Sequence, residues 1–178
     1  MGGAPGGAAD AALVGAARAG DRGAFGRLFR RCAPLVHGVL LARAPPCDVE
    51  DLMQDVFVTA LEKIGSLRDD EAFGGWLCAI ARNRAADHRR RRPPLDDLPE
   101  DVGRPDADRA EAERVLAAIR ALPEAYREPL ILRLVEGMSG PEIAAQTGLT
   151  PESVRVNLHR GMKQLRERLG LSPEAVDE

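Results

Sequence analysis

Aromatic residues are nearly missing from this 178-residue chain, which has four Phe, one Trp and one Tyr. β-Branched residues are also sparse beside abundant Ala, Leu, Arg and Glu, so little is present from which to build a sheet, and an all-α protein is expected. Cysteine is scarce as well. Cys32, Cys47 and Cys78 are an odd number without CxxC or Cys/His spacing, which argues against a disulfide framework or a zinc site and for three reduced thiols. No apolar run approaches the length of a bilayer span, and the opening MGGAPGGAAD lacks the basic and apolar stretches of a signal peptide; a cytoplasmic protein is expected. His37, His88 and His159 are scattered, and no phosphate loop, nucleophile motif or metal spacing appears. No catalytic residue, metal or cofactor is therefore expected, and each histidine is read as a surface or helix-face residue.

What is present is segregated charge. Residues 1–92 carry 14 Lys+Arg against 11 Asp+Glu, residues 93–114 carry 3 against 8, and residues 115–178 carry 8 against 9. Non-specific DNA affinity comes mostly from neutralising phosphates, so a chain with a net charge of -3 should hold duplex weakly unless a partner keeps it there.

The periodicity predicts two small helical domains joined by a flexible acidic linker. After a disordered start over residues 1–10, a short helix covers Ala11 to Ala19, and Asp21 is placed to cap the next. Phe25, Leu28, Phe29, Cys32, Val36, Val39 and Leu40 recur at three- and four-residue spacing as an amphipathic stripe that Pro34 should bend. Asp48 is read as the cap of a helix whose buried stripe is Leu52, Met53, Val56, Phe57, Ala60, Leu61 and Ile64, ended by Gly65. A third helix, from Phe73 to Arg90, turns Phe73, Leu77, Ile80 and Ala81 inward and completes a first domain over residues 11–92. Residues 93–109 combine prolines with acidic residues and read as linker, kept extended by charge repulsion.

The second domain, residues 110–170, is expected to build its core from Val115, Leu116, Ile119, Leu122, Leu130, Ile131, Leu134 and Val135, with a kink or break at Pro129 and a stop at Gly137. Residues 171–178 are a tail. Ser139 and Glu142 fit a capping box, Gly148 permits a left-handed turn, and Thr150 caps a helix with Pro151 at its first position, the offsets of a helix-turn-helix. In its second helix Val154, Leu158, Gly161 and Leu165 lie on one side. That leaves Glu152, Ser153, Val156, Arg160 and Lys163 outward and Arg155 and Asn157 on the flanks, in position for the major groove. A plain helical hairpin with solvated charges is the competing account of these residues.

Arg82, Arg84, Arg89, Arg90, Arg91 and Arg92 crowd one helix and its end, where their mutual repulsion would be relieved by a phosphate backbone. Asn83 follows Trp76 by about two turns, so a ring able to stack on an unpaired base and an amide able to bond a base edge share a face. Trp76 reads equally as a core residue, and the arginines also read as a solvated helix end.

With these residues in place, the chain resembles a bacterial RNA polymerase sigma factor, of the sigma-70 superfamily and its extracytoplasmic-function (ECF) group. The likeness runs from about Ala11 to Leu169, carried by DVEDLMQDVFVTALEKI, FGGWLCAIARNRAADHRRRR and LPEAYREPLILRLVEGMSGPEIAAQTGLTPESVRVNLHRGMKQLRERL. The resemblance implies that Asp51, Gln54 and Asp55, which share one helix face, bind the β′ clamp helices of core RNA polymerase. It implies that the segment holding Trp76, Asn83, Arg84, Asp87, Arg89 and Arg90 melts and reads the −10 element. It also implies that the helix holding Ser153, Arg155, Val156, Asn157, Arg160 and Lys163 reads the −35 element of promoter DNA. An anti-sigma factor is a further implied partner, and no small-molecule substrate is. Many members have Ser-Arg where this chain has Val156-Asn157, a departure that bears on promoter sequence. The chain stops nine residues after Leu169, so regulation is expected from outside it. A one-component helix-turn-helix regulator that never meets polymerase is the rival reading, and it leaves the QDVF face and the Trp76 segment without a role.

Overall fold

The computed structural model describes residues 8–91 and 107–171. Among the described residues the regular structure is helical: α1 (Ala8–Arg18), α2 (Arg22–Leu41), α3 (Val49–Lys63) and α4 (Phe73–Arg91) form the first domain, and α5 (Ala107–Arg120), α6 (Glu124–Leu134), α7 (Gly140–Thr147) and α8 (Pro151–Leu169) the second. Short 3₁₀ segments, Pro46–Asp48, Ile64–Ser66 and Asp70–Ala72, fill the connections before α3 and between α3 and α4. Of the disordered start expected over residues 1–10, residues 1–7 lie outside the described residues, whereas Ala8 to Asp10 are helical and the carboxylate of Asp10 is buried against Arg31 Nε at 2.6 Å. The linker expected over residues 93–109 lies outside the described residues up to 106, and α5 takes its last three positions.

In the first domain Leu28, Leu35, Val36, Val39, Val56, Leu77 and Ala81 are fully buried together, and each of the leucine and valine side chains stabilises the fold by about 1.5–3 kcal/mol relative to exposure. Asp21 caps α2 by accepting from the Ala24 amide at 3.0 Å. α2 runs unbroken through Pro34, which is exposed, so its ring needs no room in the core. Asp48 does not cap α3. It lies in helical backbone, and its carboxylate instead meets His88 Nε2 at 2.8 Å, tying the start of α3 to the end of α4. α3 stops at Lys63, ahead of Gly65.

The helical stripes are not buried in full. Phe29, Leu61, Leu134 and Val135, all expected inward, are among the exposed large apolar residues. Phe29 packs against Phe57 with ring centroids 4.4 Å apart and the rings tilted by 53°. In the second domain Leu132, rather than Leu134, is fully buried, for a reason that lies outside that domain. α6 also passes through Pro129 without a break. Pro129 is buried at the middle of this eleven-residue helix, which continues on both sides of it. Gly137, at φ 69°, turns the chain out of α6.

The two domains are packed on one another: α6 lies against α2, and α7 against α4. Nothing in the local periodicity requires this.

Candidate functional site

Three surfaces carry the residues singled out above. On α3, Asp51, Gln54 and Asp55 are all exposed, because Leu52, Val56, Phe57 and Ala60 occupy the opposite, buried side. Val58 and Leu61 continue the outward stripe, 57% and 49% exposed. An acidic and amide patch thus borders two uncovered aliphatic side chains, a combination that suits a partner surface better than solvent alone.

On α4, Trp76 is half-buried and packs on the core, its ring centroid 5.8 Å from that of Phe73. The core reading of Trp76 is met in part, and a portion of the residue remains uncovered. Asn83, Arg89, Arg90 and Arg91 are exposed. Arg84 and Asp87 are half-buried: Arg84 donates to Thr59 Oγ1 at 2.7 Å, and Asp87 is ion-paired with Arg90. Arg82 departs from the expectation of a phosphate contact, because its guanidinium faces the second domain and is taken up by Glu128.

The helix-turn-helix is built as its sequence signals require. Ser139 Oγ accepts from the Glu142 amide at 3.4 Å while the Glu142 carboxylate accepts from the Ser139 amide at 2.7 Å, so two otherwise unpaired amides are satisfied reciprocally. These bonds hold the Glu142 carboxyl below the usual carboxylate range. Gly148, at φ 74°, makes the turn in a conformation that costs other residues about 1–2 kcal/mol. Thr150 accepts from the Ser153 amide at 3.1 Å and starts α8. Val154, Gly161 and Leu165 are buried on one side of α8, and Ser153, Arg155, Arg160 and Lys163 are exposed. Val156 and Asn157 are half-buried at the border of that face.

Among the described residues no His/Cys/Asp/Glu cluster could hold a metal ion. Cys32 and Cys78 are buried, and burial pushes both thiols up to about 12, which leaves them unreactive; Cys47 is exposed. His37 and His88 are more than surface residues. Each is half-buried against a carboxylate, Glu136 and Asp48 respectively.

One group of residues escaped the sequence reading. Glu124, Glu128, Leu132 and Glu136 follow one another at four-residue spacing along and just past α6, and all four turn toward the first domain. The spacing is a visible signal of a shared face. The partner of that face is not visible, since its contacts lie 46 to 99 positions away.

Residues 28–93 match the family model for sigma-70 region 2, and residues 112–165 match that for sigma-70 region 4. RNA polymerase sigma factor CarQ of Myxococcus xanthus is 35% identical over 86% of this chain and 93% of its own length. The ECF RNA polymerase sigma-E factor of Haemophilus influenzae is 30% identical over 90% of this chain and 95% of its own. The solved structure of CnrH in complex with the cytosolic domain of CnrY superposes with a TM-score of 0.68 at 31% identity, covering 91% of this chain and 97% of that one. With region 2 spanning the α3 and α4 surfaces and region 4 spanning the helix-turn-helix, the chain belongs to the ECF sigma factors of the sigma-70 family.

Proposed function

We propose that this protein binds core RNA polymerase through the exposed stripe of α3 and directs it to promoters. In this reading Asp51, Gln54 and Asp55 engage the β′ clamp helices, with Val58 and Leu61 supplying apolar contact beside them. Trp76, Asn83, Arg84, Asp87, Arg89 and Arg90 open and hold the −10 element. Ser153, Arg155, Val156, Asn157, Arg160 and Lys163 meet the −35 element, so residues 11–92 and 110–170 act as separate promoter modules. The observation that carries the reading is an uncovered acidic and aliphatic face on α3 in the same chain as a capped helix-turn-helix whose second helix leaves its basic side exposed. A one-component regulator has no use for the first of these.

Two modest DNA contacts positioned together by polymerase act as one strong contact, so the free chain, at net charge -3, should bind promoter duplex poorly. CnrH is held by the cytosolic domain of CnrY in its solved structure, which supports an anti-sigma factor as the regulator here too. Run-off transcription on a promoter library with added core polymerase tests the reading. Promoter-specific transcripts are expected, together with retention of the chain on immobilised core enzyme without DNA. Tight sequence-specific binding by the chain alone, without affinity for core enzyme, would establish the rival instead.

A further inference from the structure

We infer that Thr59 of α3 is a positioning residue for the −10 strand: its hydroxyl, fixed from its own helix, sets the direction of the Arg84 guanidinium on α4, which then meets a phosphate of the unpaired DNA. This role deepens the function proposed above and rests on it. The starting point is a polar atom in an apolar place. Leu52, Val56, Phe57 and Ala60 form the buried side of α3, and Thr59 joins them at 5% exposure. A hydroxyl taken from water needs partners. Thr59 Oγ1 has two, lying 2.7 Å from the Asp55 carbonyl oxygen and 2.7 Å from Arg84 Nη2.

The chemistry of these three groups fixes the direction of both bonds. A guanidinium can only donate and a carbonyl can only accept. The single hydroxyl proton is therefore committed to Asp55, and a lone pair to Arg84. A threonine that bonds the carbonyl four residues back slightly weakens its own helix, and valine would fill the same space without the hydroxyl. What the hydroxyl contributes at this position is the hold on Arg84.

Arg84 is held without being neutralised. Arg18, Arg43, Arg82 and Arg90 each meet a carboxylate. The partner of Arg84 is a neutral hydroxyl, so its positive charge stays available to an outside anion, with further N–H donors to give. Its place on α4 says which anion. Trp76, Ile80, Asn83, Asp87 and Arg90 follow at four- and three-residue spacing and share one face, with Asn83 and Arg90 exposed and the other three half-buried. Ile80, Arg84 and His88 form the adjacent row, on the side that meets α3. One turn beyond Arg84, His88 Nε2 lies 2.8 Å from Asp48 Oδ2, so this row is fastened to α3 at two points. A single strand whose bases lie along the Trp76 and Asn83 face runs its backbone past the adjacent row, where Arg84 stands. Fixing a rotamer-rich side chain beforehand removes part of the ordering cost of binding.

The test uses the full chain assembled with core polymerase and, as probe, a single strand carrying the −10 element of a promoter selected by the run-off screen. Thr59→Val should melt and bind core polymerase as the parent does, yet hold the strand about tenfold less tightly, the worth of one hydrogen bond to a charged group. Its salt dependence should flatten as well, by up to the share of one phosphate, about 0.7 in slope for a single strand. Thr59→Ser, which keeps the hydroxyl, should restore parental binding. Arg84→Gln should reproduce the loss, and adding Thr59→Val to it should cost nothing more, because both changes remove one contact. Parental strand affinity in Thr59→Val overturns the inference. So does a loss of equal size with and without Arg84, or a joint fall in melting temperature and core affinity, since Thr59 then acts through the fold. A parental complex that forms but holds no −10 strand removes the −10 reading of α4 and this role of Thr59 with it, a failure seen in the parent and not only in the variants.

Discussion

Arg82 of α4 and Glu128 of α6 form a two-point pair across the domain boundary, with Nη2 and Nε each reaching a different carboxylate oxygen at 2.6 and 3.1 Å. The planar guanidinium fork matches this geometry, and a lysine could make only one of the two contacts with the same direction. Glu128 is therefore the residue on which the domain contact turns, since Arg43 shares it.

Replacing Glu128 with Ala leaves Arg43 and Arg82 facing each other across the vacated site. Breaking a buried pair by removing one partner costs about 3–5 kcal/mol. Both arginines keep some solvent, their side chains 22% and 30% exposed, so a loss nearer about 2 kcal/mol is expected. Chemical denaturation of Glu128→Ala against the parent measures it. A loss below about 0.5 kcal/mol, the range of ordinary surface substitutions, would mean that the pair is not structural.

Gln54 and Asp55 are exposed opposite the buried side of α3. Substituting both with Arg should shift stability by no more than about 0.5 kcal/mol per site and abolish retention on core polymerase. Thermal unfolding and a pull-down, run on the same preparation, separate the outcomes. A large drop in melting temperature would assign the pair to the fold.

The contact between the domains should depend on pH through His37. Its side-chain bond to Glu136 raises its pKa above 6.5, with the Glu136 charge adding to this and partial burial opposing it. A raised value means the protonated ring is favoured in the folded chain. The added stability is then fully present below about 6.5 and is lost as pH rises through the higher, folded-state value. Stability by chemical denaturation should therefore decline as pH rises above about 6.5, and His37→Asn should flatten the profile. An identical profile in parent and variant would remove His37 from the contact's pH response.

Val156 and Asn157 sit at the edge of the exposed face of α8, half-buried, where Ser-Arg is common in the family. A Val156→Ser, Asn157→Arg double mutant is expected to change the −35 sequence profile, with a position-specific effect of about 1–3 kcal/mol if a base edge is read. Binding to a −35 library gives the answer. A uniform change across all sequences would make these residues phosphate contacts.

Local order was legible in the sequence because its causes are local. The Ser139–Glu142 capping box, the left-handed Gly148 and the Thr150 cap each depend on residues within one turn, and each forms as its spacing predicts. Asp21 caps its helix for the same reason. Asp48 looked equivalent but is drawn to His88, 40 residues away, and local spacing has no means of announcing such a competitor. A break at Pro129 does not occur, since α6 continues from Glu124 to Leu134 through it, and α2 likewise continues through Pro34.

The sequence by itself determined the helices, the caps at Asp21, Ser139 and Thr150, and the family, since these follow from periodicity, turn chemistry and motif order along the chain. Tertiary structure alone decided what the helix faces meet. Phe29, Leu61, Leu134 and Val135 have the hydrophobicity of core residues but stand outside, because a helical stripe specifies a direction and not how far the neighbouring helices extend. Leu132, Glu128 and Arg82 are buried or paired only because a second domain seats on the first. That contact joins residues 46 or more positions apart, and its existence depends on the summed fit of two folded bodies, a quantity that no window of sequence contains.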